Sequence, residues 1–512
     1  MHRVITADTP FLTIAALVRE HAQARPADPA LADDEQQLDW QTLDALMDRV
    51  AVALQQGGVA PGEAIAICAS SSVRYAALYL GALRAGVVVA PLAPSVTRES
   101  LAQMLDDAQA RCVFADAGTR ALLPGGVPTV WLDDSATPAW DDWLAPPGAR
   151  PQPVDLPPEA PFNIIYSSGT TGTPKGIVQS HGMRWQHVCR GERYGYGVHT
   201  RTLLSTPLYS NTTLVVFFPT LAFGGCVHLM PKFDAARYLA LAEQRRITHT
   251  MLVPVQYQRL MAVPDFGRFD LGAFQMKFCT SAPFRADLKA DVLRRWPGGL
   301  VEFYGMTEGG GTCILNAHEH PDKLHTVGQP APGHDIRLID EAGRELPPGA
   351  TGEVVGRSGA MMAGYHRQPG KTREVEWFDA AGQRFIRTGD VGRFDDDGFL
   401  VLMDRRKDLI ISGGFNLYPS DLEALLRQHP AVEDVAVVGV PSEQWGETPV
   451  ACVVRRAGDT TDAHTLQTWH NERSGKIQRL ASVQFVHELP RSAIGKVLKR
   501  ELRERLLASA AR

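Results

Sequence analysis

The chain has 512 residues, 44% hydrophobic and 21% charged, with 52 Lys plus Arg against 57 Asp plus Glu; at ~150 residues per domain this predicts about three structural units, and the slight acidic excess argues against a general polyanion or nucleic-acid binder. The cysteines at 68, 112, 189, 226, 279, 313 and 452 are odd in number and scattered without a C-x-x-C pair, so neither a disulfide framework nor a structural zinc site is expected. No apolar run reaches the ~18 residues of a membrane span and the start lacks the apolar core of a signal peptide, so a reduced, cytoplasmic protein without a transmembrane segment is expected.

Residues 10–60 predict two amphipathic helices around a short strand. The apolar stretch 65–68 predicts a strand, 73–85 a helix stopped by Gly86, and 87–90 a further strand. Such alternation indicates layered α/β structure with largely parallel strands. The Pro-rich segment 143–161 predicts a connector, after which the α/β rhythm resumes to about 330. Short strands with Gly and Asp turns then predict a β-rich subdomain over 333–403. A small terminal unit follows the charged run 404–408. Within it, Ser420 and Glu423 have the spacing of a capping box, 432–440 predicts a strand, and Leu498, Leu502 and Leu506 form a core-facing stripe on the last helix.

The most informative stretch is Tyr166-Ser167-Ser168-Gly169-Thr170-Thr171-Gly172-Thr173-Pro174-Lys175-Gly176, which follows the apolar strand 162–165. Glycines let backbone amides approach an anion, hydroxyls donate to it, and a lysine offsets its charge, so the run suits a polyphosphate. It is not a Walker loop, because Pro174 stands where that pattern needs Gly before the Lys.

This loop resembles the signature of the adenylate-forming (AMP-binding) superfamily, which includes acyl-CoA synthetases, peptide-synthetase adenylation domains and firefly-type luciferases. Further motifs occur in the family's order. The resemblance assigns Ser167, Ser168, Gly169, Thr170, Thr171, Gly172, Thr173 and Lys175 to the nucleotide phosphates. Phe303-Tyr304-Gly305-Met306-Thr307-Glu308 resembles the second nucleotide motif; it implies Tyr304 against adenine, Thr307 at the α-phosphate and Glu308 on Mg2+. Ser281, Ala282 and Pro283 resemble the loop on the other adenine face. Thr388-Gly389-Asp390 resembles the ribose motif, with Arg405 also reaching the ribose and Lys407 as the hinge pivot. Gly413 and Gly414 resemble the loop beside the pantetheine tunnel, and Trp445-Gly446-Glu447 a conventional CoA-side segment. Pro490 to Lys496 resembles the C-terminal lysine motif, implying that Lys496 bridges the acyl carboxylate and the α-phosphate.

The resemblance implies an α/β fold. A large N-terminal domain of layered α/β subdomains plus a β-rich subdomain (1–403) would be joined by a hinge (404–408) to a small mobile α+β domain (409–512). It implies ATP, Mg2+ and coenzyme A as cofactors and co-substrate, and a small carboxylic acid as substrate. The acyl pocket would be lined by Ser210, Asn211, Thr212, Val255, Gly305 and Gly310, with Ser281. Glycines and small hydroxyl residues there leave volume, and the absence of Lys and Arg disfavours a second carboxylate. A mid-sized aromatic or medium-chain monocarboxylate is therefore expected. Ser210 departs from the aromatic or His residue that many relatives have after Pro-Leu-Tyr, 205–230 lacks the Asp of amino-acid-activating relatives, and Ile477-Gln478-Arg479-Leu480 replaces a Tyr-Lys-x-Pro pattern near the CoA nucleotide. A ligase loading an acyl carrier protein, a non-catalytic nucleotide-binding relative and a luciferase-type oxygenase share the motifs. A lysine acetyltransferase and deacetylase acting on Lys496 are further expected partners, because acetylation removes its charge.

Overall fold

A computed structural model describes residues 5–167, 174–412, 415–475, 478–492 and 495–510. The predicted phosphate loop 168–173 and the glycine pair Gly413 and Gly414 lie outside the described residues. The chain divides into two compact units, Met1–Asp335 with Gly356–Ile386, and Ile336–Val355 with Arg387–Arg512. It passes between them inside the strands Gly352–Arg357 and Arg384–Phe394.

Among its described residues the first unit holds two large sheets. One has nine strands, with a parallel centre running from Gly299–Met306 through Met276–Cys279, His249–Leu252, Arg201–Leu204 and Cys226–Leu229 to Pro29–Ala32. Its borders are antiparallel: Gly309–Asn316 on one side and Gln37–Asp39 on the other. The early segment is thus a hairpin of two strands, where the sequence pattern predicts one; Gln37–Asp39 is too short and polar to announce itself. The other sheet has seven strands and includes Ala64–Cys68, Val88–Pro91, Pro161–Ser167 and Lys175–Ser180. Ala64–Cys68 and Val88–Pro91 are buried at every position, as expected of parallel strands covered on both faces. Helix Val73–Arg84 starts where Ser72 accepts from the Tyr75 amide at 3.2 Å. No regular element lies between Trp143 and Pro161, in line with the predicted connector.

The segment after Gly356 joins the two sheets. The Met362 amide donates to the Glu308 carbonyl at 2.8 Å on one side; on the other, the Ala363 and His366 amides donate to the Val178 and Gly176 carbonyls at 3.1 and 2.6 Å. Gly364 and Tyr365 thereby add an edge strand antiparallel to Lys175–Ser180.

The second unit contains the β-rich residues 336–355 and 387–405 and a small five-stranded sheet with Ile410–Ser412, Val432–Ser442 and Gly446–Arg455. One face of that sheet packs Val435, Val437, Ala451 and Val453 against Leu422, Leu426 and Leu466. The predicted capping box is absent: helix Pro419–Leu426 begins after Tyr418, and Ser420 is already inside it. Pro419 at the first helical position shifts the start by its fixed φ and missing N–H, the Ser420 amide goes to Asp404 Oδ2 at 2.7 Å, and Glu423 turns inward to accept from the Val437 amide at 2.9 Å. On the last helix, Lys499–Ala510, Leu502 is buried and Leu506 packs beside it, whereas Leu498 precedes the first turn.

A buried ion pair anchors the first unit behind its central strands. Lys289, on helix Ala286–Arg295, pairs with Glu302 and donates to the Leu324 and Thr326 carbonyls at 2.9 and 3.0 Å. Burial pushes the Glu302 carboxyl up to about 7, against the opposing pull of Lys289. Removing one partner of such a pair strands the other charge. Lys289→Met is expected to cost about 3–5 kcal/mol, read as a lowered urea midpoint, and Lys289→Met with Glu302→Leu should recover the part due to the stranded carboxylate.

Candidate active site

The site of the first unit is built on a turn. Strands Gly299–Met306 and Gly309–Asn316 pair antiparallel, their register slips between Tyr304 and Met306, and Met306 faces Gly309. Thr307 and Glu308 therefore stand at the tip. Tyr365 donates its hydroxyl to Glu308 Oε1 at 2.8 Å, and the Lys175 ammonium lies 5.2 Å from the centre of the same ring. Burial, reinforced by the Glu308 charge, pushes the Tyr365 phenol well up, so it stays a donor. Lys175 faces Ser167 across the antiparallel pair of Pro161–Ser167 with Lys175–Ser180. Tyr365 thus brings together Lys175 and Glu308, two residues far apart in sequence. Tyr304 is half-buried beside the register slip.

A second group forms around Ser281. Ser210 caps helix Asn211–Ala222, accepting from the Thr212 amide at 3.3 Å. Thr212 and Ser281 share a hydroxyl–hydroxyl bond of 2.6 Å. Ser281 holds a φ of 82°, a left-handed conformation that costs a non-glycine residue and persists where the surroundings impose it. Thr280 donates to the Phe303 carbonyl at 2.8 Å, tying this loop, with Ala282 and Pro283, to the strand Gly299–Met306 that leads to Thr307. Gly305 is exposed, whereas Gly310 is buried. At Gly310, φ is 79° and a Cβ would lie 2.9 Å from the Gly356 carbonyl oxygen, so this glycine serves a close backbone approach. Val255 is half-buried in the first turn of helix Pro254–Met261.

In the second unit, Asp390 and Arg405 are cross-strand neighbours and form an ion pair at 3.1 Å. Gly389 takes a φ of 73° inside the strand Arg384–Phe394, and the Asp390 amide donates to Thr388 Oγ1 at 3.0 Å. Lys407 occupies the short helical turn Arg406–Asp408. The Lys496 carbonyl accepts from the Ser492 amide at 2.8 Å. Burial, then the cations of Arg405 and Lys407, pull the Lys496 ammonium down to about 8, while Asp390 and Asp408 oppose. Exposed Ile411 and Phe415 belong to the small sheet, where Ser412 pairs with both Phe415 and Gly446, and exposed Trp445 lies in the turn between the strands Val432–Ser442 and Gly446–Arg455.

Two features escaped the sequence reading of the site. Tyr365 stands in the sequence only as part of a Gly-Tyr pair, and nothing local signals its bond to Glu308. Gln179 is fully buried in strand Lys175–Ser180 and donates to the Thr307 carbonyl at 2.8 Å; a polar residue interrupting the apolar run Ile177–Val178 was the available signal.

The lowered Lys496 value has a measurable sign. Competitive acylation of free enzyme, read by mass spectrometry against pH, should give Lys496 a midpoint near about 8 instead of about 10.4 for an ordinary lysine. Asp390→Asn removes an anion that favours the ammonium and should move the midpoint lower.

Residues 18–366 match the AMP-binding enzyme family and residues 421–496 the AMP-binding enzyme C-terminal domain. Feruloyl-CoA synthase from Amycolatopsis sp is 34% identical over 484 residues, covering 91% of this chain and 94% of the relative. Fatty acid–[acyl-carrier-protein] ligase ScoC from Streptomyces coeruleorubidus is 30% identical over 513 residues, 98% of each chain. Among solved structures, ATP-bound MatB from Rhodopseudomonas palustris superposes with a TM-score of 0.85 at 29% identity, over 96% of this chain and 99% of that one. The chain belongs to the AMP-binding enzyme family, in its adenylate-forming acyl-CoA ligase branch.

Proposed function

We propose that the protein is an ATP-dependent acyl-CoA synthetase that activates a mid-sized aromatic or medium-chain monocarboxylate. The observation that carries the reading is the Lys175–Tyr365–Glu308 group beside Thr307, a cation, a fixed donor and an oriented carboxylate of the kind a polyphosphate reaction needs. A carboxylate oxygen attacks the α-phosphorus of ATP and pyrophosphate leaves. The CoA thiol then attacks the acyl carbon, AMP leaves with the electron pair, and the thiol proton goes to solvent. Lys175 offsets phosphate charge, the Thr307 hydroxyl orients the α-phosphate, and Lys496 neutralises charge developing between carboxylate and phosphate.

Tyr365 holds Glu308 by Oε1 and orients a single carboxylate at the turn. That suits Mg2+, which is commonly held by one or two carboxylates plus substrate phosphates, with Glu308 as its protein ligand. When bound, the ion supplies charge neutralisation on the triphosphate. Asp390 and Arg405 serve the ribose, Tyr304 and the segment Ser281-Ala282-Pro283 the adenine. The functional division is 1–403, a hinge at 404–408 pivoting at Lys407, and 409–512. The exposed Ile411, Phe415 and Trp445 support an apolar path for the pantetheine arm beside Gly413 and Gly414. Lys496 is the residue on which a lysine acetyltransferase and deacetylase would act.

The acid is inferred from the pocket and the relatives. Ser210, Asn211, Thr212, Val255, Ser281, Gly305 and Gly310 carry no cation, so a second carboxylate would be desolvated unpaired. Thr212 and Ser281 satisfy each other, leaving a less polar wall. The feruloyl-CoA synthase name supports an aromatic acid. Pyrophosphate release should give its highest kcat/KM on octanoate, benzoate or a hydroxycinnamate; acetate or malonate as the best substrate would overturn the pocket reading, and no release with any of them would overturn the ligase. The 30% identity to a carrier-protein ligase over 98% of each chain favours one second reading, transfer to a phosphopantetheinylated carrier. Offering CoA and such a carrier side by side decides between them.

Lys496→Ala should lose adenylate formation by at least ~100-fold, the scale of removing a preorganised charge donor, while still converting supplied acyl-AMP and CoA to thioester. Equal loss in both half-reactions would remove Lys496 from its assigned role.

A further inference from the structure

Arg184 is a buried cation without a buried anion. It lies on helix His181–Cys189 and is 1% exposed. Its guanidinium carbon sits 5.7 and 5.9 Å from the ring centres of Phe162 and Phe218. Nη2 donates to Gln179 Oε1, whereas Nε and Nη1 are buried with no hydrogen-bond partner. Among the described residues no carboxylate pairs with it. Burial lowers its pKa to about 10, so it remains a cation at neutral pH. Two aromatic faces compensate part of its lost hydration, and a buried charge that lacks a partner is otherwise costly.

The amide between Arg184 and the site can point only one way. Guanidinium donates and never accepts, so it must meet the Gln179 oxygen. The Thr307 carbonyl accepts and never donates, so it must meet the Gln179 nitrogen, which it does at 2.8 Å. The same nitrogen reaches Asn211 Oδ1 at a long 3.5 Å. Gln179 therefore turns the charge of Arg184 into a donor aimed at Thr307 and Asn211, the first assigned to the α-phosphate and the second to the acyl pocket.

We propose that Arg184 and Gln179 form a positioning relay for adenylate formation. The relay rests on the functional reading of Thr307 and Asn211 given above. Gln179 pins the Thr307–Glu308 turn by its carbonyl, and Arg184 provides fixed positive charge behind the point where the acid's carboxylate meets the α-phosphate. Both reactants are anions, so their approach is opposed by repulsion, which a buried cation offsets without itself touching either. Thioester formation starts from the adenylate, in which the carboxylate charge is already gone, and gains less from the relay.

The test is Gln179→Glu. The new carboxylate gives Arg184 an ion pair, neutralises its charge and offers the Thr307 carbonyl an acceptor where it had a donor. A structural role predicts a protein as stable and as active as the parent, because Arg184 is better satisfied. The relay predicts a thermal midpoint within about 2 °C of the parent or above it. It also predicts kcat/KM for the acid in pyrophosphate release lowered at least ~10-fold, mainly through KM for the acid, with thioester formation from supplied acyl-AMP within about threefold. Unchanged adenylation, or equal losses in both half-reactions, overturns the relay. If Gln179→Glu does not fold, Gln179→Met, similar in length and without charge, removes the bonds of Gln179 to Arg184 and Thr307; its two half-reactions are compared below its own thermal midpoint, where a loss of at least ~10-fold confined to adenylation supports the relay and unchanged adenylation or equal losses overturn it. A parent enzyme that releases no pyrophosphate overturns the functional reading and the relay together, whereas an active parent matched by its variant overturns the relay alone.

Discussion

The first unit depends on one close contact between backbones. At Gly309 and Gly310 the chain has positive φ and lies against the 356–360 segment so closely that side chains at these positions would meet the carbonyls of Ala360 and Gly356. Bare backbone there lets the segment run on from Gly356, bond Met362 to the Glu308 carbonyl, and then pair with the strand Lys175–Ser180. A single stretch thereby fixes the distance between two sheets, and Tyr365 falls where it can hold Glu308. The glycines act as spacers for the chemistry, a stricter demand than pocket volume.

From that contact outward, charge is managed by orientation more than by pairing. Glu308 is held by a neutral phenol, Lys175 lies over an aromatic ring, and Arg184 rests against two more. Elsewhere the protein pairs its ions conventionally, as at Lys289 with Glu302 and Arg387 with Glu353. An enzyme that must accept polyanions benefits from cations that are placed yet not already neutralised. In the second unit, Lys496 follows the same logic, half-buried near two other cations, so that its own ammonium is easier to discharge than a surface lysine's.

The outline of this architecture is legible in the sequence where local rules are strong. Continuous apolar runs such as Ala64–Cys68 announce buried parallel strands, and the Pro-rich 143–161 announces a connector. The motifs around Lys175, Glu308, Asp390 and Lys496 announce the family through their order along the chain, since Thr-Gly-Asp or a single lysine alone is common. Legibility fails where the decisive partner is distant. Nothing near Tyr365 reveals Glu308, nothing near Gln179 reveals the Thr307 carbonyl, and Ser420 with Glu423 satisfies the spacing of a cap while Pro419 and Asp404 decide otherwise. A glycine run likewise reads as room for a substrate when the chain uses part of it to bring two backbones together.

The interleaved course of the chain bears on how the protein is made. Residues 336–355 belong with the second unit although residues 356–386 complete the first. During synthesis the first unit cannot close when its nine-stranded sheet is finished, because Tyr365 and the segment that joins its sheets have not yet emerged. It must wait through a stretch that will fold elsewhere. Domains generally fold as units and in order of synthesis, and long-range closure is slow, so the turn at Thr307 and Glu308 spends its early life as an uncovered edge. A nascent chain stalled before residue 356 presents residues 309–311 without the backbone that packs on them, the circumstance in which a chaperone that shields exposed backbone matters most.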